Sequence, residues 1–365
     1  MKQSNAIAYL RQLCCSGLGK EIVIPEFLRA VPSVLPSCNN VFSGCNEHFI
    51  PSYHILGFAL AELDEDAPVI ISRSLTSELR SHYIAWFKQH PALTDAAVLD
   101  ESFYRSDLYN IVWRPNGQHR ILQAPVMQEG KTVGILCLYR PHRQKPFNCR
   151  EQALCLRLLP YVAHALRVPD AKDIQYSDNG LSGMMVMDTQ GKVLYLSYEA
   201  KKLLALACHP ILSLAAGIQE IELLAKLAQL CRNLEAIFRG QNAAPPSWSH
   251  TSSNGRFIFR AYWLDRQNKE PGGLVGMTIE HLEPIVLRLL RALQNLPLSP
   301  SQKEVALLVA QGFSSDKIGE RLHIKLNTVK DHISKIFTKL DIQHREDLLP
   351  MLLALDSPIS IPKEW

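Results

Sequence analysis

"DKIGERLHIKLNTVKDHISKIFTKL", residues 316–340, holds two runs of helical periodicity around a three-residue break at 323–325. In the second run Val329, Ile333, Ile336, Phe337 and Leu340 fall at i, i+4, i+7, i+8 and i+11, one narrow apolar stripe of an α-helix. The face opposite that stripe carries Asn327, Asp331, Ser334, Lys335 and Thr338, with Thr328, Lys330 and Lys339 at its flanks. Short polar chains at the centre and cations at the edges suit a helix in a DNA major groove. There the central side chains meet base edges and the flanking lysines meet phosphates. A solvated amphipathic helix of an all-α bundle has the same pattern, so periodicity alone leaves both readings open.

The residues just upstream extend the helical reading. A helix over 299–311 turns Val305, Leu308 and Val309 inward and ends at Gly312, a residue suited to the position after a helix C-cap. Ser314 is a candidate N-cap for the next helix, Asp316 favours its positive end, and Ile318 and Leu322 face in. Between 317 and 345 there are seven Lys or Arg against three Asp or Glu, whereas residues 296–365 hold nine of each. The positive charge is therefore placed locally, and the chain's net charge of +4 announces nothing by itself.

Residues 298–347 resemble the LuxR-type helix-turn-helix family. The resemblance rests on Leu298, Glu304-Val305, the Ala310-x-Gly312-x-Ser314 turn, Ile318, Leu322-x-Ile324, Thr328-Val329-Lys330-x-His332, Lys339-Leu340 and Arg345. It implies a four-helix DNA-binding domain that dimerises on DNA and reads inverted half-sites. The base-reading candidates are Asn327, Lys330, Asp331, Ser334 and Lys335; the phosphate-contact candidates are Ser314, Lys317, Thr328, Lys339 and Arg345. The chain also departs from the family. Lys325 replaces the usual capping Ser, so Asn327 is expected to cap the recognition helix and shorten its start. Gly319 replaces Ala and permits a close helix approach, while Pro350 is expected to interrupt the fourth helix. Asp331 repels phosphate but can accept a hydrogen bond from a cytosine amino group.

The fold class expected for the whole chain is multidomain α+β: a GAF-like antiparallel-sheet domain over 1–168, a smaller PAS-like α+β domain over 169–283, a linker helix over 284–297, and an all-α four-helix helix-turn-helix domain over 298–365. In the first region, 119–141 reads as two strands around a Glu129-Gly130 turn, followed by a helix over 149–167 that Pro160 should kink. In the second, 184–187 and 193–196 form a hairpin, 199–207 a helix, and Asn254-Gly255 turns into a strand whose Phe257, Phe259, Ala261 and Trp263 share one face. Residues 102–147 resemble GAF-like sensor domains and 183–207 resemble the start of a PAS domain. Both folds bind small molecules, haem, flavin or another chain, so fold does not name the ligand. The linker helix carries Val286, Leu289, Leu290 and Leu293 in one stripe, which either packs on its own domain or pairs with the same helix of a second chain.

Tyr83, Trp86, Phe103, Tyr104, Tyr109 and Trp113 are candidates for an aromatic ligand pocket, with plain core as the competing reading. Cys149 and Cys155 near His142 lack zinc spacing, and Cys208-His209 lacks a haem-attachment pattern. Adjacent Cys14 and Cys15 are poorly placed for an unstrained disulfide. No metal or cofactor is expected; an unidentified small-molecule effector remains open. With an odd nine cysteines, no export signal and no run of eighteen apolar residues, the expectation is a cytoplasmic protein with no membrane partner.

No nucleophile elbow, P-loop, metalloprotease motif or dinucleotide fingerprint is present, and no acidic βα receiver opens the chain. The function read from the sequence is a non-enzymatic, sequence-specific transcription regulator, a dimer whose N-terminal sensor domains respond to an unidentified small molecule, a redox change or a partner. Its expected partners are double-stranded DNA at an inverted-repeat promoter site, a second copy of the chain, and RNA polymerase. The competing class is a signalling or oligomerisation module, or an adaptor, that does not bind DNA.

Overall fold

Helices α1 (Gln3–Cys14) and α2 (Lys20–Ala30) open the chain and are followed by a hairpin of β1 (Cys38–Cys45) and β2 (Pro51–Leu56). Next come α3 (Ala67–Ser74), α4 (Ser77–Gln89), the short β3 (Leu93–Thr94), α5 (Glu101–Tyr104) and a π-helical turn at Leu108–Trp113. β4 (Arg120–Gln128) and β5 (Lys131–Arg140) then form the expected hairpin, with Glu129 and Gly130 at φ 50° and 79°. Two successive positive φ values match the right-handed twist of the strands they join. Helix α6 (Cys149–Arg167) runs on through Pro160. The computed structural model describes residues 3–57, 66–74, 76–95, 99–167, 174–208, 211–213, 219–252, 254–265 and 273–356. The joint at 168–173, His209 and the segment 357–365 lie outside the described residues.

The second unit contains β6 (Tyr176–Met187), β7 (Val193–Leu196), α7 (Tyr198–Ala207), β8 (Ile211–Ser213), α8 (Gln219–Phe238), β9 (Ser247–Ser252), β10 (Gly255–Leu264) and β11 (Leu274–Pro284). Alternation on β10 buries Phe257, Phe259 and Ala261 against α7 and α8, and Trp263 stacks on Phe238 of α8 at 4.2 Å. Its sheet runs β7-β6-β11-β10-β9, and the first sheet runs β3-β4-β5-β1-β2-β8. Counted by order of appearance, both units follow the arrangement second, first, fifth, fourth, third. The amino-acid sequence shows no repeat, so this likeness belongs to topology alone. β8 leaves the second unit to pair antiparallel with β2, closing an otherwise open sheet edge.

The last region comprises α9 (Ile285–Gln294), α10 (Pro300–Ala310), α11 (Ser315–Leu322), α12 (Leu326–Leu340), a 3-10 turn at Arg345–Asp347 and α13 (Leu348–Leu355). Of the two readings left open for the α9 stripe, the structure takes the intramolecular one. Leu287, Leu289, Leu290, Ala292 and Leu293 are buried, and α9 touches α1, α10, α13 and β11. Five buried positions within ten residues cover more than one side of a helix, so α9 has neighbours on several sides. One continuous apolar cluster runs from Phe42, Leu122 and Leu136 on the inner face of the first sheet through Leu10 and Leu289 to Val305, Val329 and Leu352. Segment 284–297 is therefore a core helix as well as a connection.

A polar network accompanies that core. Arg291 donates to Glu283 Oε2 at 2.9 Å and to both Asp356 oxygens at 3.1 Å. Arg288 donates to Asp356 at 3.0 Å, Ser177 at 2.7 Å and the Leu353 carbonyl at 3.2 Å. Burial alone would favour loss of the Arg291 proton, but Asp356 and Glu283 outweigh it and hold the guanidinium charged. On the other side, Tyr9 donates to Glu26 at 2.9 Å, and Arg29 reaches both Glu26 and Asn254. Arg11 of α1 pairs with Glu304 of α10, and Lys303 Nζ donates to the Gln294 carbonyl at 2.7 Å, at the negative end of α9.

Two expectations about the terminal helices are corrected. Pro350 does not break α13: it is the third residue of that helix, in the first turn where no intrahelical donor is required. Asn327 does not cap α12: Lys325 occupies the N-cap position without a side-chain bond, and the helix already includes Leu326.

Gly319 and Asp356 give stability predictions. A Cβ on Gly319 would lie 2.9 Å from the Ile324 carbonyl oxygen, which is backbone that cannot swing aside. Helix propensity favours Ala by about 1 kcal/mol, yet Gly319→Ala is expected to lower the melting temperature followed by circular dichroism; a rise contradicts the close approach. Asp356→Ala removes the buried acceptor shared by two part-buried arginines and is expected to cost about 3 kcal/mol in denaturant titration. Glu346→Ala, at an exposed site, should change little.

Candidate functional site

The C-terminal helices are held in place by local sequence signals. Ser299 and Gln302 form a capping box at the start of α10, and Gly312, at φ 85°, turns the chain after it. Ser314 Oγ accepts from the Lys317 N–H and caps α11. His323, left-handed at φ 54°, ends α11, and α12 begins three residues later at Leu326. The Ile324 N–H donates to the Gly319 carbonyl at 3.0 Å, so the turn closes directly on the glycine. Val329 and Ile336 are buried and Ile333, Phe337 and Leu340 pack beside them, which fixes the rotation of α12.

That rotation leaves Asn327, Thr328, Lys330, Asp331, Ser334, Lys335 and Thr338 exposed on one side. All five base-reading candidates therefore lie together on an open face. Lys335 Nζ sits 2.7 Å from Asp331 Oδ2 one turn away, so the acid at the centre of that face is neutralised by its neighbour. The phosphate candidates are placed differently from one another. Lys317 and Thr328 are exposed, and Ser314 is engaged as a cap. Lys339 donates to the Pro297 carbonyl at 3.1 Å and to Gln302 at 2.9 Å, which ties α12 to the start of α10. Arg345 is half-buried and donates to the Phe313 carbonyl, bracing the turn before α11.

The six aromatic candidates lie on two elements, α4 and the α5/π-turn segment, with Tyr83 and Trp113 packed on one buried cluster. Tyr83 packs against Phe49 and Phe87 under α4, and Trp86 donates to the Ala92 carbonyl at 2.9 Å while its ring meets His90. Phe103, Tyr104, Tyr109 and Trp113 gather around α5 and the π-helical turn: Phe103 meets Trp113 at 4.8 Å and Tyr104 meets Tyr109 at 5.0 Å, both edge to face. Trp113 also meets Tyr139 edge to face at 5.0 Å and packs on the buried cluster that holds Phe49. Tyr104 and Tyr109 line a cleft of about 400 Å³ with Arg114, Gln118, His119 and His142. Tyr109 Oη lies 2.6 Å from His119 Nδ1, Tyr104 stacks on His119 at 5.0 Å, and the two imidazoles meet at 4.5 Å. Burial, then His142, then Arg120 lower the His119 pKa.

The residues that sequence reading passed over here are Arg114 and His119. Their grouping depends on a π-turn and on the end of the β4-β5 hairpin, and no local pattern signals either. The cysteines carry no comparable site. Burial pushes the Cys137 and Cys155 thiols up to about 12 and Cys231 up to about 11, so they stay protonated at neutral pH. No group of three His, Cys, Asp or Glu able to hold a metal occurs among the described residues, and none of their helices is long and apolar enough to cross a membrane.

Residues 296–352 match the family described as bacterial regulatory proteins, luxR family. The response regulator protein VraR of Staphylococcus aureus, and those of Staphylococcus saprophyticus and Staphylococcus epidermidis, are each 42% identical over 48 residues, covering 13% of this chain and 23% of theirs. The chain thus matches less than a quarter of the length of these relatives. A solved sensor region of a sensor histidine kinase aligns at 16% identity over 45% of this chain and 63% of that one, with a TM-score of 0.19. The C-terminal helices α10 to α13, with the open face of α12, are a LuxR-type helix-turn-helix domain, of the kind that binds DNA sequence-specifically in transcription regulation.

Proposed function

We propose that this chain is a sensor-coupled transcription regulator that acts as a homodimer on an inverted-repeat promoter site. One observation carries the reading: α12 presents Asn327, Lys330, Asp331, Ser334 and Lys335 on a single exposed face while its opposite face is locked into the domain core. In the complex, Asn327, Ser334 and the Asp331–Lys335 pair face base edges, and Lys317, Thr328 and Lys330 lie toward phosphates. Lys339, Arg345 and Ser314 act first as braces that hold α11 and α12 at the angle the groove requires, and meet phosphates from there. RNA polymerase is the natural recipient of the output from a promoter-bound dimer.

The two N-terminal units serve as GAF-like and PAS-like sensors, a reading supported by antiparallel sheets flanked by helices and by their common strand arrangement. Signal reaches the reading head through α9, because its side chains are packed against α1 of the first unit and against α10 and α13 of the last. An effector shifts the regulator only by binding its two arrangements with different affinity, and repacking around α9 is the difference that such binding would favour.

Selection from a randomised duplex pool with the full chain should enrich a twofold-symmetric sequence, bound with an affinity that falls as salt rises. Lys330→Ala is expected to weaken binding to all sequences and reduce the salt slope by about 1. Ser334→Ala or Asp331→Ala should instead change base preference at single positions, by about 1–3 kcal/mol. Binding that is indifferent to sequence, or a Lys330→Ala protein with an unchanged salt slope, contradicts the proposal.

A further inference from the structure

The cleft between the π-helical turn and the β4-β5 hairpin is built for a different task from plain packing. A π-turn is rare and occurs often at functional sites. Here the Arg114 N–H donates to the Tyr109 carbonyl at 2.7 Å, five residues back, and sets both side chains at the mouth of the cleft. The Arg114 guanidinium has no hydrogen bond or ion pair to any described residue. His119 is oriented through Nδ1 by Tyr109, which leaves Nε2 for a ligand, and His142 stands edge-on beside it. Gln118 is buried and anchored by its Nε2 on the Asn39 carbonyl at 2.7 Å. Asp95, the acid that acts on Tyr104 and His119, is already engaged by Arg120 at 3.3 Å and by the Ile121 N–H at 2.7 Å. The lining therefore offers an uncompensated cation, two imidazoles and the phenol of Tyr104, with aromatic ring surface around them.

We propose that this cleft is the effector site of the sensor and that it takes a small organic oxyanion, a carboxylate or phosphate monoester on a planar ring. Arg114 closes on the oxyanion through its planar fork, which carboxylate and phosphate match in geometry. His119 and His142 donate to the remaining oxygens, and the Tyr104 and Tyr109 rings flank the body of the ligand. At about 400 Å³ the cleft exceeds what a bare inorganic anion fills, so the organic body contributes to recognition. This inference rests on the sensor reading above, but its test does not involve DNA.

Isothermal titration of the full chain with benzoate, phenyl phosphate, benzamide and inorganic phosphate decides it. The expected result is saturable one-to-one binding of benzoate or phenyl phosphate, with benzamide and inorganic phosphate each at least tenfold weaker. Whichever aromatic anion binds tells a carboxylate site from a phosphate site. Arg114→Ala, a change at an exposed position, should weaken that binding at least tenfold without altering the melting temperature, and Tyr83→Phe, under α4, should leave it unchanged. No saturable binding of either aromatic anion, equal binding of inorganic phosphate, or an Arg114→Ala protein that binds normally overturns the proposal. Sequence-preferring DNA binding measured on the same preparations shows separately whether the reading of the C-terminal domain stands.

Discussion

Burial of α9 on several sides is the constraint on which the arrangement of the chain depends. A ten-residue helix with Leu287, Leu289, Leu290, Ala292 and Leu293 inside cannot serve as a solvent-exposed tether. Each fully buried leucine is worth about 1.5–3 kcal/mol relative to exposure, so detaching the C-terminal domain would uncover a substantial apolar surface. The same helix receives α1 from the front of the chain and α13 from its end. The first unit and the C-terminal domain thus share one packed core, and a change in one is felt in the packing of the other.

The ion network around Arg291 has a different role from the leucines. Buried pairs return little net stability, because the Coulomb gain is largely offset by the cost of leaving water, but a broken pair is expensive. Asp356 gives Arg288 and Arg291 a shared acceptor at the end of α13, and Glu283 completes the group from β11. Apolar contact permits small sliding of α13 over α9; this network permits one register. Meanwhile the polar face of α12 stays open, so docking of the C-terminal domain constrains its orientation without covering that face.

Local signals were legible wherever a short motif determines the geometry. Ser299, Gly312 and Ser314 mark helix ends by capping chemistry, the stripe from Val329 to Leu340 orients α12, and the turn at Glu129-Gly130 announces a hairpin, whereas the Asn254-Gly255 turn is displaced by one residue because Gly255 already pairs with Ser252 as the first residue of β10. What escaped depends on residues far apart in sequence. The α9 stripe is compatible with an intramolecular or an intermolecular partner until α1 and α13 are placed on it. The pairing of β8 with β2 joins residues more than 150 positions apart, and Ile211–Ser213 is too short to carry a pattern. Aromatic spacing grouped Tyr83 and Trp86 with Tyr104 and Tyr109, but α4 and the π-turn send them to separate places. Lys325 and Pro350 show the limit of single-residue rules: a helix can start without a side-chain cap, and a proline in the first turn does no harm.

Native-state hydrogen exchange, followed by mass spectrometry at rising sub-denaturing urea, tests the shared core most directly. Peptides from α1, α9 and α10 are expected to exchange through one common opening, with the same free energy and the same dependence on urea. Exchange of α10 at a lower urea concentration, while α1 and α9 remain protected, would contradict it and return the C-terminal domain to the status of an independent unit on a tether.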